Sequence, residues 1–239
     1  GGVPQPAGMI FEAIQGEGGV IPAPDTWVRG IRKLTTQANV PLIVDEVQSG
    51  FGRTGKMFAF EHAGITPDAV ALSKAIGGSL PLSVIVYRGE LDQWGPGAHA
   101  GTFRGNQMAM AAGSATIRFI RAESLHEHAG KVGQRLVNGL KQLQGDFPQI
   151  GDVRGRGLMI GVEIIAPEDN QDKAAQPSAA PALASAIQAE CLRRGLIIEL
   201  GGRYGSVVRF LPPLIITERQ IDHVLEIFTA ALQVASRPQ

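Results

Sequence analysis

A single cysteine, Cys191, among 239 residues cannot form an internal disulfide, and a lone thiol suits a reducing cytosol. Charge of one sign is also missing: 22 basic residues face 22 acidic ones, for a net charge of +0. That balance gives no electrostatic footprint for nucleic acid or for an anionic membrane surface. No apolar run approaches the roughly 20 residues that cross a bilayer, and nothing resembles a secretory signal. A cytoplasmic protein that handles a small molecule is therefore expected. The five histidines show no zinc spacing. His126 and His128, two apart on a helical stretch, point in different directions, so no metal site is expected. Also absent is an initiating methionine, since the chain opens GGVPQPAG. It is expected to be a piece of a longer protein.

What is present divides near residue 122. In the first half, short runs rich in Val, Ile and Leu read as buried strands: MIFEAI (9–14), PLIVD (41–45), AVALS (69–73) and LSVIVY (82–87). Between the first two, DTWVRGIRKLTTQA (25–38) has helical periodicity, with Asp25 or Thr26 as the expected N-cap. Strands alternating with helices predict an α/β fold with a mainly parallel sheet, whose ligands lie beyond the carboxyl ends of the strands. From Gln107 the pattern turns helical. It continues through a strand pair or bent strand over 153–164, a polar loop over 166–180, a helix over 181–194, strands in LIIEL and VVRFLPP, and a closing helix. Residues 1–122 are thus expected to form part of a large domain, and 123–239 a smaller α+β domain.

VALSKAIGGSLPLSV (70–84) sets Lys74 among apolar and tiny neighbours. An amine in a desolvated pocket loses its proton more easily and can attack a carbonyl; a surface lysine with a packed stem gives the same local sequence. In IVDEVQSGFGRTG (43–55), Asp45 and Glu46 directly follow an apolar run. A carboxylate there can hold the protonated ring nitrogen of pyridoxal phosphate, with Val47 on the ring face and Gln48 donating to the ring's phenolic oxygen. Alone, such an acid pair equally suits a helix cap. An acid and a lysine in successive strand-end loops together favour the cofactor. The GRTG glycines suit a tight turn.

FEAIQGEGGV, VDEVQSGFGRTG, LSKAIGGSLPL, GTFRGNQMAMAA and VVRFLPPL resemble, in order and spacing, the motifs of class III (omega-type) aminotransferases. SKAIGGSLPLSVIVY and GAHAGTFRGNQMAMAAG are most similar to the 2,4-diaminobutyrate:2-oxoglutarate subgroup. The resemblance implies fold-type I of the pyridoxal 5'-phosphate enzymes, amino acids and 2-oxo acids as substrates, and a homodimer or higher homo-oligomer with shared sites. It implies Lys74 as the Schiff-base lysine and proton carrier, and Asp45 as the pyridinium partner beside Val47 and Gln48. Thr102 corresponds to the threonine that reaches the neighbouring subunit's cofactor phosphate. Arg209 corresponds to the arginine that clamps a substrate carboxylate, and Glu17 to its removable partner, with Glu12 a secondary acid of the same motif. The family's N-terminal portion, which supplies a phosphate loop and a ring-stacking aromatic, has no counterpart upstream of Glu12. The residues leave open ornithine, acetylornithine or 4-aminobutyrate as amino donor. They also leave open a racemase or aminomutase on the same scaffold, and a chain that only binds a partner protomer.

Overall fold

The computed structural model describes residues 4–102, 104–166 and 178–236. The chain folds into two compact units. One holds the residues up to Ala13 together with Ala23–Gly52 and Lys56–Leu125; the other holds Ile14–Pro22, Arg53–Gly55 and the chain from His126 onward.

In the first unit, strands β1 (Met9–Glu12), β4 (Leu42–Asp45), β5 (Ala69–Leu72) and β6 (Val84–Tyr87) form one sheet in the order β1-β4-β5-β6. The first three are parallel and β6 is antiparallel. Helix α1 (Asp25–Gln37) makes the crossover from β1 to β4. Its N-cap is Pro24, with no side-chain bond, and not Asp25 or Thr26. Pro24 fixes its own φ and leaves Asp25 as a first-turn acid, favourable at the positive end of the helix dipole. Leu42 and Val44 are buried and alternate with half-buried Ile43 and Asp45, the two-residue period of a strand. Phe11 meets Trp27 of α1 edge-on at 5.4 Å.

Asp68, just before β5, ties the amino end of β4 to α1 and to the residue that follows β6. Its Oδ2 accepts from Leu42 N at 2.8 Å and Arg32 Nη1 at 2.7 Å, and its Oδ1 from Arg88 Nη1 at 3.0 Å. Burial acts to raise this carboxyl, but the hydrogen bonds from Leu42, Arg32 and Arg88 prevail and hold it below the usual carboxylate range. A depressed folded value stabilises the protein above the unfolded value near 4, and that contribution disappears as pH falls through the folded one. Asp68→Asn should therefore cost about 2 kcal/mol at pH 7. Urea titrations should show the gap from wild type closing below about pH 4.

Helix α2 (Gln107–Ala122) is capped by Asn106, whose Oδ1 accepts from Met108 N and Ala109 N. It packs against the 3-10 turn Lys74–Gly77. A Cβ on Gly113 would sit 2.0 Å from the Ile76 carbonyl oxygen, so the helix rests directly on the backbone of that turn.

The second unit is an antiparallel sheet with helices against it. Strands β2 (Ile14–Gln15) and β3 (Ile21–Pro22) make a small hairpin. Strands β7 (Ile150–Arg156), β8 (Met159–Ile164), β9 (Glu199–Gly201) and β10 (Val207–Phe210) line up as β7-β8-β10-β9. Helices α3 (Leu125–Asp146), α4 (Pro181–Arg193) and α5 (Glu218–Ala235) complete it. Leu136, Leu140, Ile160, Val162, Ile187, Val208 and Phe228 are fully buried in its core. Thr217 and Gln220 cap α5 reciprocally. The bent-strand option for 153–164 gives way to a β7–β8 hairpin, and residues 167–177 of the expected loop lie outside the described residues.

Candidate active site

The carboxyl ends of β1, β4 and β5 bring the first group of candidates to one edge of the sheet. Glu12, Asp45 and Ala71 are direct neighbours in register. Lys74 follows Ala71 by three residues, one step beyond Ser73. Paired strands lie about 4.8 Å apart and each residue advances about 3.3 Å, so the Asp45 and Lys74 Cα atoms are at most about 11 Å apart. A half-buried carboxylate and a lysine at that spacing can address opposite ends of one small ring between them.

The two acids after β4 separate cleanly. Glu46 is fully buried, its Oε2 accepting from Ser49 Oγ at 2.6 Å and its Oε1 from Phe60 N at 3.0 Å. Burial raises its pKa above the ordinary glutamate value. It bolts the 47–58 loop to the strand end. Asp45 is half-buried and commits Oδ1 to Val47 N at 2.9 Å, a local bond that orients the carboxylate. Val47 and Gln48 lie half-buried in the turn that follows.

Of the two settings the sequence leaves open for Lys74, the chain shows the exposed one. Its side chain is exposed, while the Leu72 and Ile76 side chains that make the stretch look apolar turn inward. The lysine also sits at φ +50°, in the left-handed region. That region costs a non-glycine residue roughly 1 kcal/mol or more and collects at working sites. The Ser73 hydroxyl pins the turn by donating to the Leu82 carbonyl at 3.0 Å. Thr102 lies exposed in the segment leading to α2.

The second unit holds the other candidates. Arg209, on β10, is almost entirely buried and is the register partner of Glu199 on β9. Its Nη2 meets Glu199 Oε2 at 2.8 Å and Glu17 Oε2 at 3.0 Å. Its Nε and Nη1 are buried with no hydrogen-bond partner among the described residues. The guanidinium lies across Gly201, where a Cβ would come within 2.9 Å of Arg209 Cδ and Nε and 3.2 Å of the Glu17 carbonyl oxygen. Glu17 rides on the turn between β2 and β3, which includes Val20 at φ +52°. The carbonyl oxygens of Gly19 and Val20 accept from Arg154.

The fold and the sequence have parallels among known proteins. The family model for class-III aminotransferases matches residues 3–232. The chain belongs to the class-III aminotransferases. A diaminobutyrate–2-oxoglutarate aminotransferase of Rhizobium meliloti is 54% identical over 99% of this chain and 50% of that enzyme. One from Haemophilus influenzae is 47% identical over 95% of this chain and 50% of its own length. Among solved structures, an amine transaminase from an uncultivated Pseudomonas species, in its PLP-bound internal-aldimine form, superposes with a TM-score of 0.87. It is 30% identical, over 96% of this chain and 52% of that one. The class-III chain spans about half the length of the curated relatives it matches.

Glu199 escaped the sequence reading. Its signal was an acid closing the apolar run LIIE, but its partner on the next strand is visible only once the strands are paired. Among the described residues, no group of three or more His, Cys, Asp or Glu side chains can hold a metal ion. None of the described helices is long and apolar enough to cross a membrane.

Proposed function

We propose that this chain serves a pyridoxal-phosphate-dependent aminotransferase. It moves the terminal amino group of L-2,4-diaminobutyrate to 2-oxoglutarate, giving aspartate semialdehyde and glutamate. The observation that carries the reading is the placement of Asp45 at the end of β4 and of Lys74 in the turn just beyond the adjacent parallel strand β5. The names of the most similar relatives support the choice of substrates.

When bound, pyridoxal phosphate supplies an electron-withdrawing ring that stabilises negative charge on the amine-bearing carbon. The Asp45 carboxylate would hold the ring's N–H, with Val47 against the ring and Gln48 donating to its phenolic oxygen. With the cofactor bound, Lys74 Nζ would take the proton from the amine-bearing carbon as a positioned general base and, as the acid so formed, would deliver it to the cofactor carbon bonded to the amine nitrogen. In a homodimer, the Thr102 hydroxyl would donate to the phosphate of the cofactor held by the neighbouring subunit. Glu12 adds acidic charge one strand from Asp45.

Arg209 deals with the carboxylate of 2-oxoglutarate or glutamate. A buried guanidinium left bare is costly, so it needs a partner in both halves of the reaction. Glu17, 76% exposed at its side chain, can leave for water at little cost. Its departure frees an Nη2 hydrogen beside the unpaired Nη1, and together they make a two-pronged edge for an incoming carboxylate. When the donor presents no carboxylate there, Glu17 returns.

The test is glutamate formation from 2-oxoglutarate by the complete enzyme. Rates across 2,4-diaminobutyrate, ornithine, acetylornithine and 4-aminobutyrate should be highest for the first. Borohydride treatment with the cofactor present, followed by peptide mapping, should find the pyridoxyl label on Lys74. Absence of glutamate would favour a racemase or aminomutase and overturn the reading.

A further inference from the structure

We infer that Arg154 is the positioning residue that fixes where Glu17 returns on Arg209, so that the switch is a swing of one side chain from a held turn; this rests on the reading of Glu17 and Arg209 given above. Every group involved lies in the second unit. Register sets four residues in one row across its sheet: Arg154 on β7, Gly161 on β8, Arg209 on β10 and Glu199 on β9. Register partners project from the same face. Paired strands lie about 4.8 Å apart, so the two arginines flank Gly161 with Cα atoms about 10 Å from each other. Gly161 has no side chain, and the β2–β3 turn fills the trough this leaves. A Cβ there would come within 3.0 Å of Val20 Cβ and 3.1 Å of the Gly19 carbonyl oxygen.

The two arginines grip this turn differently. Arg154 takes its backbone: Nε donates to the carbonyl oxygens of Gly19 and Val20, both at 3.1 Å, and Nη2 donates to that of Gly19 at 2.9 Å. Arg209 takes only the Glu17 carboxylate, at 3.0 Å. Arg154 Nη1 meets Asp152 Oδ2 at 3.0 Å and Glu163 Oε2 at 2.5 Å. Its charge is therefore balanced within the sheet, and it does not draw Glu17 away from Arg209. Val20 is fully buried, and Gly202 N donates to the Glu17 carbonyl at 2.9 Å. Val20 is also β-branched at φ +52°, a conformation that persists only where contacts enforce it. The backbone at Glu17 is thus held while its carboxylate is exposed. Departure and return are rotations of the side chain, and the guanidinium that holds the turn sets the place of return.

The test is binding of glutarate, a dicarboxylate with no reacting group, to the complete, cofactor-loaded enzyme, followed by titration calorimetry. Glu17 on Arg209 competes with an incoming carboxylate, so loosening Glu17 tightens glutarate. Glu17→Gln should lower the Kd about fivefold, the upper scale of an exposed ion pair. Arg154→Met, which keeps the apolar stem, should lower it about threefold. Arg154→Lys, which keeps the charge without the fork, should fall between wild type and the methionine variant. Combining Arg154→Met with Glu17→Gln should bind glutarate no tighter than Glu17→Gln alone, because Arg154 acts through Glu17. A Kd unchanged or raised in the Arg154 variants, while Glu17→Gln lowers it, would overturn the inference and leave the reading of Glu17 standing. Effects that multiply in the double variant would also overturn it. An unchanged Kd in Glu17→Gln would remove that reading itself, and the inference with it.

Discussion

Lys74→Ala in the complete enzyme should lower the rate of glutamate formation by roughly 10³-fold or more, the scale seen when a covalent or proton-transferring residue is removed. Binding should suffer far less. Lys74 is exposed and its side chain fills no core space, so truncation leaves the packing of the first unit intact. The thermal midpoint of the cofactor-free protein should stay within a degree or two of wild type. On the proposed role of Lys74, alanine has no way to carry a proton to and from the amine-bearing carbon, so activity and stability should part company here. A variant that turned over 2,4-diaminobutyrate at the normal rate would remove Lys74 from the chemistry. Because φ at this position is +50°, Lys74→Gly should lose the same activity while relieving local backbone strain.

Gly113→Ala is expected to damage both stability and activity. The added methyl would lie 2.0 Å from the Ile76 carbonyl oxygen, and that neighbour is backbone within the turn carrying Lys74. Either α2 lifts or the turn is displaced, at an overpacking cost of about 3 kcal/mol. A shift of about 1 Å at Lys74 can itself cost about 10²-fold in rate. Thermal melts and steady-state kcat on one preparation should therefore both fall. Gly30→Ala is the contrast. Gly30 is exposed within α1 and a Cβ there meets nothing within 4 Å. That change should raise stability by about 0.5–1 kcal/mol, the helix-propensity gain, and leave kcat alone. If both substitutions behaved alike, close approach at Gly113 would not be what fixes the turn.

Local pattern in the sequence carries much of this architecture. Strands β4 and β5 follow from runs of Val, Ile, Leu and Ala, and α1 from its 3.6-residue period, because burial of one face repeats along the chain. Asp45 and Lys74 stand out for the same reason, as charges interrupting apolar runs at strand ends. The antiparallel direction of β6 does not stand out, since a buried strand reads the same either way. Nor does the distinction between Asp45 and Glu46, which depends on Ser49 and the Phe60 amide meeting the second acid. The exposure of Lys74 is hidden too: apolar neighbours in sequence say nothing about which way each side chain turns. The Glu199–Arg209 pair joins strands ten residues apart whose register no linear pattern sets.

The way the two units share the polypeptide has a consequence for anyone dissecting it. The backbone passes between them at residues 13/14, 22/23, 52/53, 55/56 and 125/126. A protease nick near residue 125 would leave residues 14–22 and 53–55 on the fragment that carries the first unit, so the C-terminal product would lack part of the second. During synthesis, the hairpin that carries Glu17 leaves the ribosome long before the strands on which it packs, so the arginine's exposed partner waits for its cation until β10 has emerged.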